Sequence, residues 1–300
     1  MRPTPDSEPR VTEKAADKAL QQMLRQMEVR PTDYDRFRGD VDQQEGRLFG
    51  GLVLAQTVMA AGHTTDRGTI HSLHAYFLRA GKPIEPIDYM VERIREGRNF
   101  LTRRVTAIQG GHTIFEASVS FTAPEEGISH QVPMPDAPAP EGQKSWWEAL
   151  QLPPQPEASR RRPRWNNPID IRTGSVDAQH KGPDGLPRRA VWAKPSSVLP
   201  EDPLIHAAAM VYTSDSGMVA TVAHAYGLWM PGGATASLDH AMWWHRPPRF
   251  DDWILYVTNS PAAHSARALT WGHMYGRDGT LVASVAQEGL YRKGEPAPGA

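Results

Sequence analysis

The segment ASLDHAMWWHRP, residues 236 to 247, gathers groups that can handle protons. Ser237 brings a hydroxyl, Asp239 a carboxylate, His240 and His245 imidazoles, and Trp243 and Trp244 an aromatic pair between the histidines. Asp239 beside His240 has the composition of an acid–base pair. Neighbours on a strand point to opposite faces, which argues against the two serving one substrate atom. The same alternation predicts Ser237 and Asp239 on one face, with Leu238 and His240 on the other. On that reading His240 and His245 are buried, hydrogen-bonded histidines rather than ligands, and the Trp pair is core.

Other chemistries are excluded by residue type. The chain has no cysteine, which removes disulfides, thiolate metal sites and cysteine nucleophiles. It has no His-Glu-x-x-His zinc signature and no Gly-x-Ser-x-Gly nucleophile elbow. Neither a metal nor a cofactor is expected. A formal net charge of −1 over 300 residues argues against a general binder of nucleic acid or membrane surfaces. No run approaches the ~18 apolar residues of a membrane span, so no stable membrane insertion is expected. The N-terminal residues lack the apolar stretch of a signal peptide, and the C-terminus carries no Ser-Lys-Leu address. A cytoplasmic location is the expectation.

The elements that must position these groups come in two series. Residues 1–14 read as a disordered N-terminus. Ala15 to Val29 reads as a helix with Leu20, Met23, Leu24 and Met27 on one face. The apolar run Leu52 to Ala61 has helical length, with Gly62 as a natural stop. TIHSLHAYFLRAG and the segment from Ile87 to Phe121 read as strands, with Gly110-Gly111 as a tight hairpin turn. The Pro-containing stretch 125–189, with Arg160, Arg161, Arg162 and Arg164, reads as an irregular connector carrying a solvated basic patch. Trp146 and Trp147 suggest that part of it packs on a domain. Asp202 and Pro203 then make a good cap and first residue for the helix LIHAAAMVYT, and strands follow with a turn at Asp278-Gly279.

The second series repeats the first. His74-Ala75 matches His240-Ala241, and Ala117-Ser118-Val119 matches Ala283-Ser284-Val285, both 166 residues apart. The expected fold is therefore α+β: two copies of a helix followed by an antiparallel sheet, spanning 15–124 and 190–293, with a short tail at 294–300.

Two such repeats joined by a Pro-rich connector resemble the double hotdog fold. RLFGGLVLAQ, HSLHAYFLRAG, GRNFLTRRVTAIQ, ASLDHAMWWHRP and LVASVAQEGLYR, in that order, are similar to motifs of the type II acyl-CoA thioesterases. The resemblance implies hydrolysis of acyl-CoA to free acid and CoA. It implies catalytic roles for Asp215, in a Ser214-Asp215 pair placed after the helix, for Ser237 and for Gln287. Asp239 would support them from behind. Leu52 stands where the family often has Gln after the paired glycines.

The chemistry fits these residue types. Water becomes a competent nucleophile when a carboxylate takes its proton, and a hydroxyl and an amide can fix its direction of attack. Residue types alone leave three readings open: a thioesterase, a hotdog enoyl-CoA hydratase, and a non-catalytic acyl-CoA or lipid binder. A double hotdog already contains the pairing that single-hotdog chains make as dimers, so a homo-oligomer is optional.

Overall fold

The computed structural model describes residues 13–42, 48–145, 168–174, 181–228 and 234–292. Helix α1 (Glu13–Met27) buries Leu20, Met23 and Met27 and ends two residues before Val29, which opens strand β1 (Val29–Asp33). Strand β2 (Arg36–Gly39) returns antiparallel to β1. Helix α2 (Gly50–Gly62) is buried from Gly51 onward, as an apolar run without a polar face requires. Gly62 closes it for a reason other than the expected cap, because His63 beyond it keeps right-handed backbone. A Cβ on Gly62 would lie 2.4 Å from a methyl of Leu204, so the glycine lets a second helix approach.

That second helix, α3 (Pro203–Ala225), begins as expected, with the Asp202 carboxylate accepting from the Leu204 N–H at 2.8 Å. It does not stop at Thr213. It continues for 23 residues through the polar run Thr213 to Gly217, so Ser214-Asp215 lies within the helix and not after it. The hydroxyls of Thr213, Ser216 and Thr221 donate to carbonyls three or four residues back, and the Ser214 hydroxyl lies 2.9 Å from both the Val211 carbonyl and His240 Nε2. These polar side chains are thus satisfied without breaking the helical ladder.

The remaining strands are β3 (Thr69–Phe77), β4 (Ile87–Glu96), β5 (Phe100–Gln109), β6 (His112–Thr122), β7 (Ile169–Thr173), β8 (Arg188–Pro195), β9 (Ala234–Ser237), β10 (Asp239–Trp244), β11 (Ile254–His264), β12 (Arg267–Gly276) and β13 (Leu281–Arg292). Among the described residues they form, with β1 and β2, one 13-stranded antiparallel sheet in the order β1-β2-β4-β5-β6-β3-β10-β13-β12-β11-β8-β7, with β9 paired to β13. The β5–β6 turn uses Gly110 and Gly111 at φ of 56° and 79°, the positive values a two-residue hairpin turn demands. Strand β7 lies inside the stretch read as irregular connector, where Ile169 packs into the core. The arginine run and Trp146-Trp147 lie outside the described residues.

The two halves meet at the β3–β10 seam, where His240 faces Ala75 and His74 faces Ala241. This register corrects one of the two repeat matches. His74 is exposed while His240 is fully buried, so the His-Ala pairs lie on opposite faces and are not equivalents. Ala117, Val119, Ala283 and Val285 all face inward, as equivalents should. Among the described residues no helix is long and apolar enough to cross a membrane.

Candidate active site

Helices α2 and α3 cross where the paired glycines of α2 meet Tyr212 and Asp215 of α3. A Cβ on Gly51 would lie 2.6 Å from the Tyr212 carbonyl, and one on Gly50 would lie 2.9 Å from Asp215 Oδ2. Any larger residue would push the helices apart. With glycine there, the Gly51 N–H at the start of α2 donates to the Asp215 carboxylate. A helix N-terminus presents unpaired N–H groups and a positive dipole end, which favours an anion there.

Three further strands converge on this carboxylate. The Ser237 hydroxyl, at the end of β9, donates to Asp215 Oδ1 at 3.4 Å. Gln287 Nε2, in β13, donates to Ser237 Oγ at 2.9 Å. The ring Nδ1 of His240, in β10, lies 2.6 Å from Gln287 Oε1, and its Nε2 lies 2.9 Å from Ser214 Oγ. Ser214, His240 and Gln287 are buried, and Asp215 is only 9% exposed. The structure therefore brings Asp215, Ser237 and Gln287 into one array.

Burial pushes the Asp215 carboxyl above its ordinary range, opposed by His240, the Gly51 N–H, Ser237 and Gln287. Burial pushes His240 down, opposed mainly by Asp215, which leaves the ring neutral near pH 7. A desolvated carboxylate is a stronger base than one in water, the property a proton acceptor needs.

Asp239 is placed differently from the alternation forecast. The strand breaks at Leu238, so Ser237 and His240 both reach Gln287, while Asp239 turns to the backbone. Its Oδ1 accepts the Glu288 N–H at 2.6 Å, and the Leu238 N–H donates to the Glu288 carbonyl at 2.9 Å. The carboxylate replaces a missing ladder partner beside Gln287. His245 is exposed and bonded to Ser284 Oγ, which corrects its reading as buried. Trp244 is core, whereas Trp243 is half-buried with its ring edge-on to His74. Leu52 is 1% exposed and belongs to the core.

Two contributors escaped the sequence reading. Gly50-Gly51 precede an apolar run with no turn to justify them, and that is the signal of a close backbone approach. His240 carried no such mark, because only the break at Leu238 turns it toward Gln287.

Two family models match the chain. Residues 159–290 match the model described as acyl-CoA thioesterase, and residues 37–122 match the acyl-CoA thioesterase N-terminal domain. The chain is 34% identical over 282 residues to acyl-CoA thioesterase 2 of Haemophilus influenzae, covering 92% of this chain and 99% of that one. The crystal structure of an acyl-CoA thioesterase II, TesB2, from Mycobacterium marinum is 36% identical, with a TM-score of 0.76 over 90% of this chain and 98% of that chain. A hotdog-fold protein from Alicyclobacillus acidocaldarius, 20% identical, covers 92% of this chain and 99% of that chain at a TM-score of 0.74, and so shares the fold. The architecture is thus that of a hotdog-fold thioesterase, with helices on one large antiparallel sheet. The chain belongs to the type II acyl-CoA thioesterase family.

Proposed function

We propose that this protein hydrolyses acyl-CoA thioesters to free fatty acid and CoA, with Asp215 as the base that activates water. One observation carries the assignment of the site: Asp215, Ser237 and Gln287, from one helix and two strands, form a continuous hydrogen-bonded array at a buried carboxylate. Water bound at Asp215 would give up its proton as it attacks the thioester carbonyl. Ser237 and Gln287 would hold the water and carboxylate in line, a contribution of orientation rather than bonding. Thiolate is a good leaving group, and the proton collected by Asp215 is available to it. The chain has no cysteine and no nucleophile elbow, so direct attack by water is the route we favour.

The fold, on this reading, is a double hotdog. Residues 15–124 and 190–293 are its repeats, α2 and α3 the long helix of each, and 125–189 the connector. We place the enzyme in the cytoplasm, acting on acyl-CoA, with further homo-oligomerisation optional. Release of free thiol from a series of acyl-CoA chain lengths tests the activity. A folded protein that binds acyl-CoA without releasing thiol would leave only a carrier role, and hydration of an enoyl-CoA without thiol release would favour a hydratase.

A further inference from the structure

We propose that His240 is a positioning residue that fixes which way the Gln287 amide faces and, through it, the direction of the Ser237 hydroxyl. The proposal rests on the reading of Asp215, Ser237 and Gln287 as the catalytic array.

The oxygen of a glutamine amide only accepts and its nitrogen only donates, while a hydroxyl can do both. Two opposite arrangements of the array are therefore available. In one, His240 Nδ1–H donates to Gln287 Oε1, Gln287 Nε2 donates to Ser237 Oγ, and the Ser237 hydroxyl donates to Asp215, as in the structure. In the other, the amide is turned over, Ser237 donates to its oxygen, and Asp215 loses that donor. Gln287 is 1% exposed, so bulk water does not choose between them. Its side-chain partners, His240 on one side and Ser237 and Asp215 on the other, must.

At the Asp215 end the choice is made only while the carboxylate is ionised. Once Asp215 holds the proton taken from water, the Ser237 hydroxyl no longer faces an anion. The other end does not change during that step. His240 is fully buried, and in the neutral ring a proton on Nδ1 leaves Nε2, 2.9 Å from Ser214 Oγ, to accept the one Ser214 proton, which is then not given to the Val211 carbonyl, also 2.9 Å away. Ser214 adjoins Asp215 on α3, so one turn of helix sets both the base and the tautomer that orients its partners. His240 thus keeps the array poised when Asp215 cannot.

The test compares steady-state constants for His240→Leu and His240→Asn, with melting temperatures to establish folding. The Asn side-chain nitrogen stands close to where Nδ1 stands in the ring, so it can still donate to Gln287. We expect His240→Leu to lower kcat about tenfold or more with KM within about twofold, and His240→Asn to restore most of it. In a Gln287→Leu background there is no amide to orient, so His240→Leu should cost less than about twofold further. Unchanged kcat in a folded His240→Leu, equal loss in both variants, or multiplicative losses in the double mutant would each overturn the proposal. If His240→Leu does not fold, His240→Gln replaces it, because its longer side chain carries the amide to the Ser214 end. Equal kcat for His240→Gln and His240→Asn is then the contrary result. Asp215→Asn and Gln287→Leu, run alongside, separate the two failures. If both retain turnover, the catalytic assignment fails. If both lose it while His240→Leu does not, only the role of His240 fails.

Discussion

Each of the two long buried helices carries a polar residue in its interior, and the two are held in opposite ways. Gln56 in α2 is fully engaged: Oε1 accepts from the Tyr89 hydroxyl at 2.7 Å, and Nε2 donates to the carbonyls of Gln26 and Asp40. It staples α1, the residue after β2, and β4 to the helix. Asp215 in α3 is held loosely by comparison. Its bond from Ser237 is 3.4 Å long, and burial costs its charge more than its neighbours return. Both side chains are buried, yet one is satisfied by three partners while the other carries a charge that burial disfavours, as the proposed base would. Burial alone does not mark a catalytic group; incomplete compensation of a buried charge does.

Substitution at the staple should break this contrast most sharply in stability. Gln56→Met removes the partner of one hydroxyl and two carbonyls, and should destabilise the protein by about 3 kcal/mol. Turnover per folded molecule should stay within about twofold, as denaturant titration with kcat on the folded fraction would reveal. Gly51→Ala should damage both properties. A Cβ there meets the Tyr212 carbonyl and the Phe49 ring, so α2 must retreat and withdraw its N–H from Asp215. A loss of about 1–3 kcal/mol is expected from the overpacking. Turnover should fall about tenfold through lost alignment. Normal kcat with reduced stability would show that the α2 N-terminus is scaffold only. Ser237→Thr should retain turnover and Ser237→Ala should not, because only a hydroxyl can relay between Gln287 and Asp215. Equal kcat/KM for the two would make the hydroxyl a bystander.

The smallest expected effects are in pH dependence. His71, His206, His240, His245 and His273 all have lowered affinity for protons in the fold, burial being the first cause in each. The unfolded chain binds protons at these positions more readily. Stability should therefore fall as pH drops through the ordinary histidine range near ~6.5, a trend that melting temperatures across pH 5–8 would follow. Asp215 acts in the opposite sense. Its raised folded affinity makes ionisation a cost to stability above the ordinary carboxylate range, and that cost disappears on acidification. The acid limb of kcat should lie above the usual carboxylate range, and Ser237→Ala should move it higher still by removing a donor to the anion.

Much of this could be read in the chain, and what could not has identifiable causes. The helix at Leu52–Ala61, the hairpin at Gly110-Gly111 and the cap at Asp202 were legible because each rests on local chemistry. The length of α3 was not, because Thr213 to Gly217 has loop composition and remains helical with the Thr213 and Ser216 hydroxyls bonded back to the helix. The face of His240 was hidden by one missing strand residue, since a break at Leu238 reverses every alternation argument after it. The His-Ala match at 166 residues misled for a related reason: identity of residues carried no information about which face they occupy. Strand β7 was obscured by the proline-rich composition around it.

The central claim is that Asp215 is kept in the core for its reactivity at the expense of the fold. Asp215→Asn tests both halves at once, by kcat and melting temperature at pH 7 on one preparation. Asn is nearly isosteric and cannot take a proton, so kcat should fall about 10²-fold or more. With no buried charge to sustain, the melting temperature should equal or exceed that of the unaltered protein. A folded variant with near-normal kcat, or one that loses stability as Gln56→Met is expected to, would contradict the account.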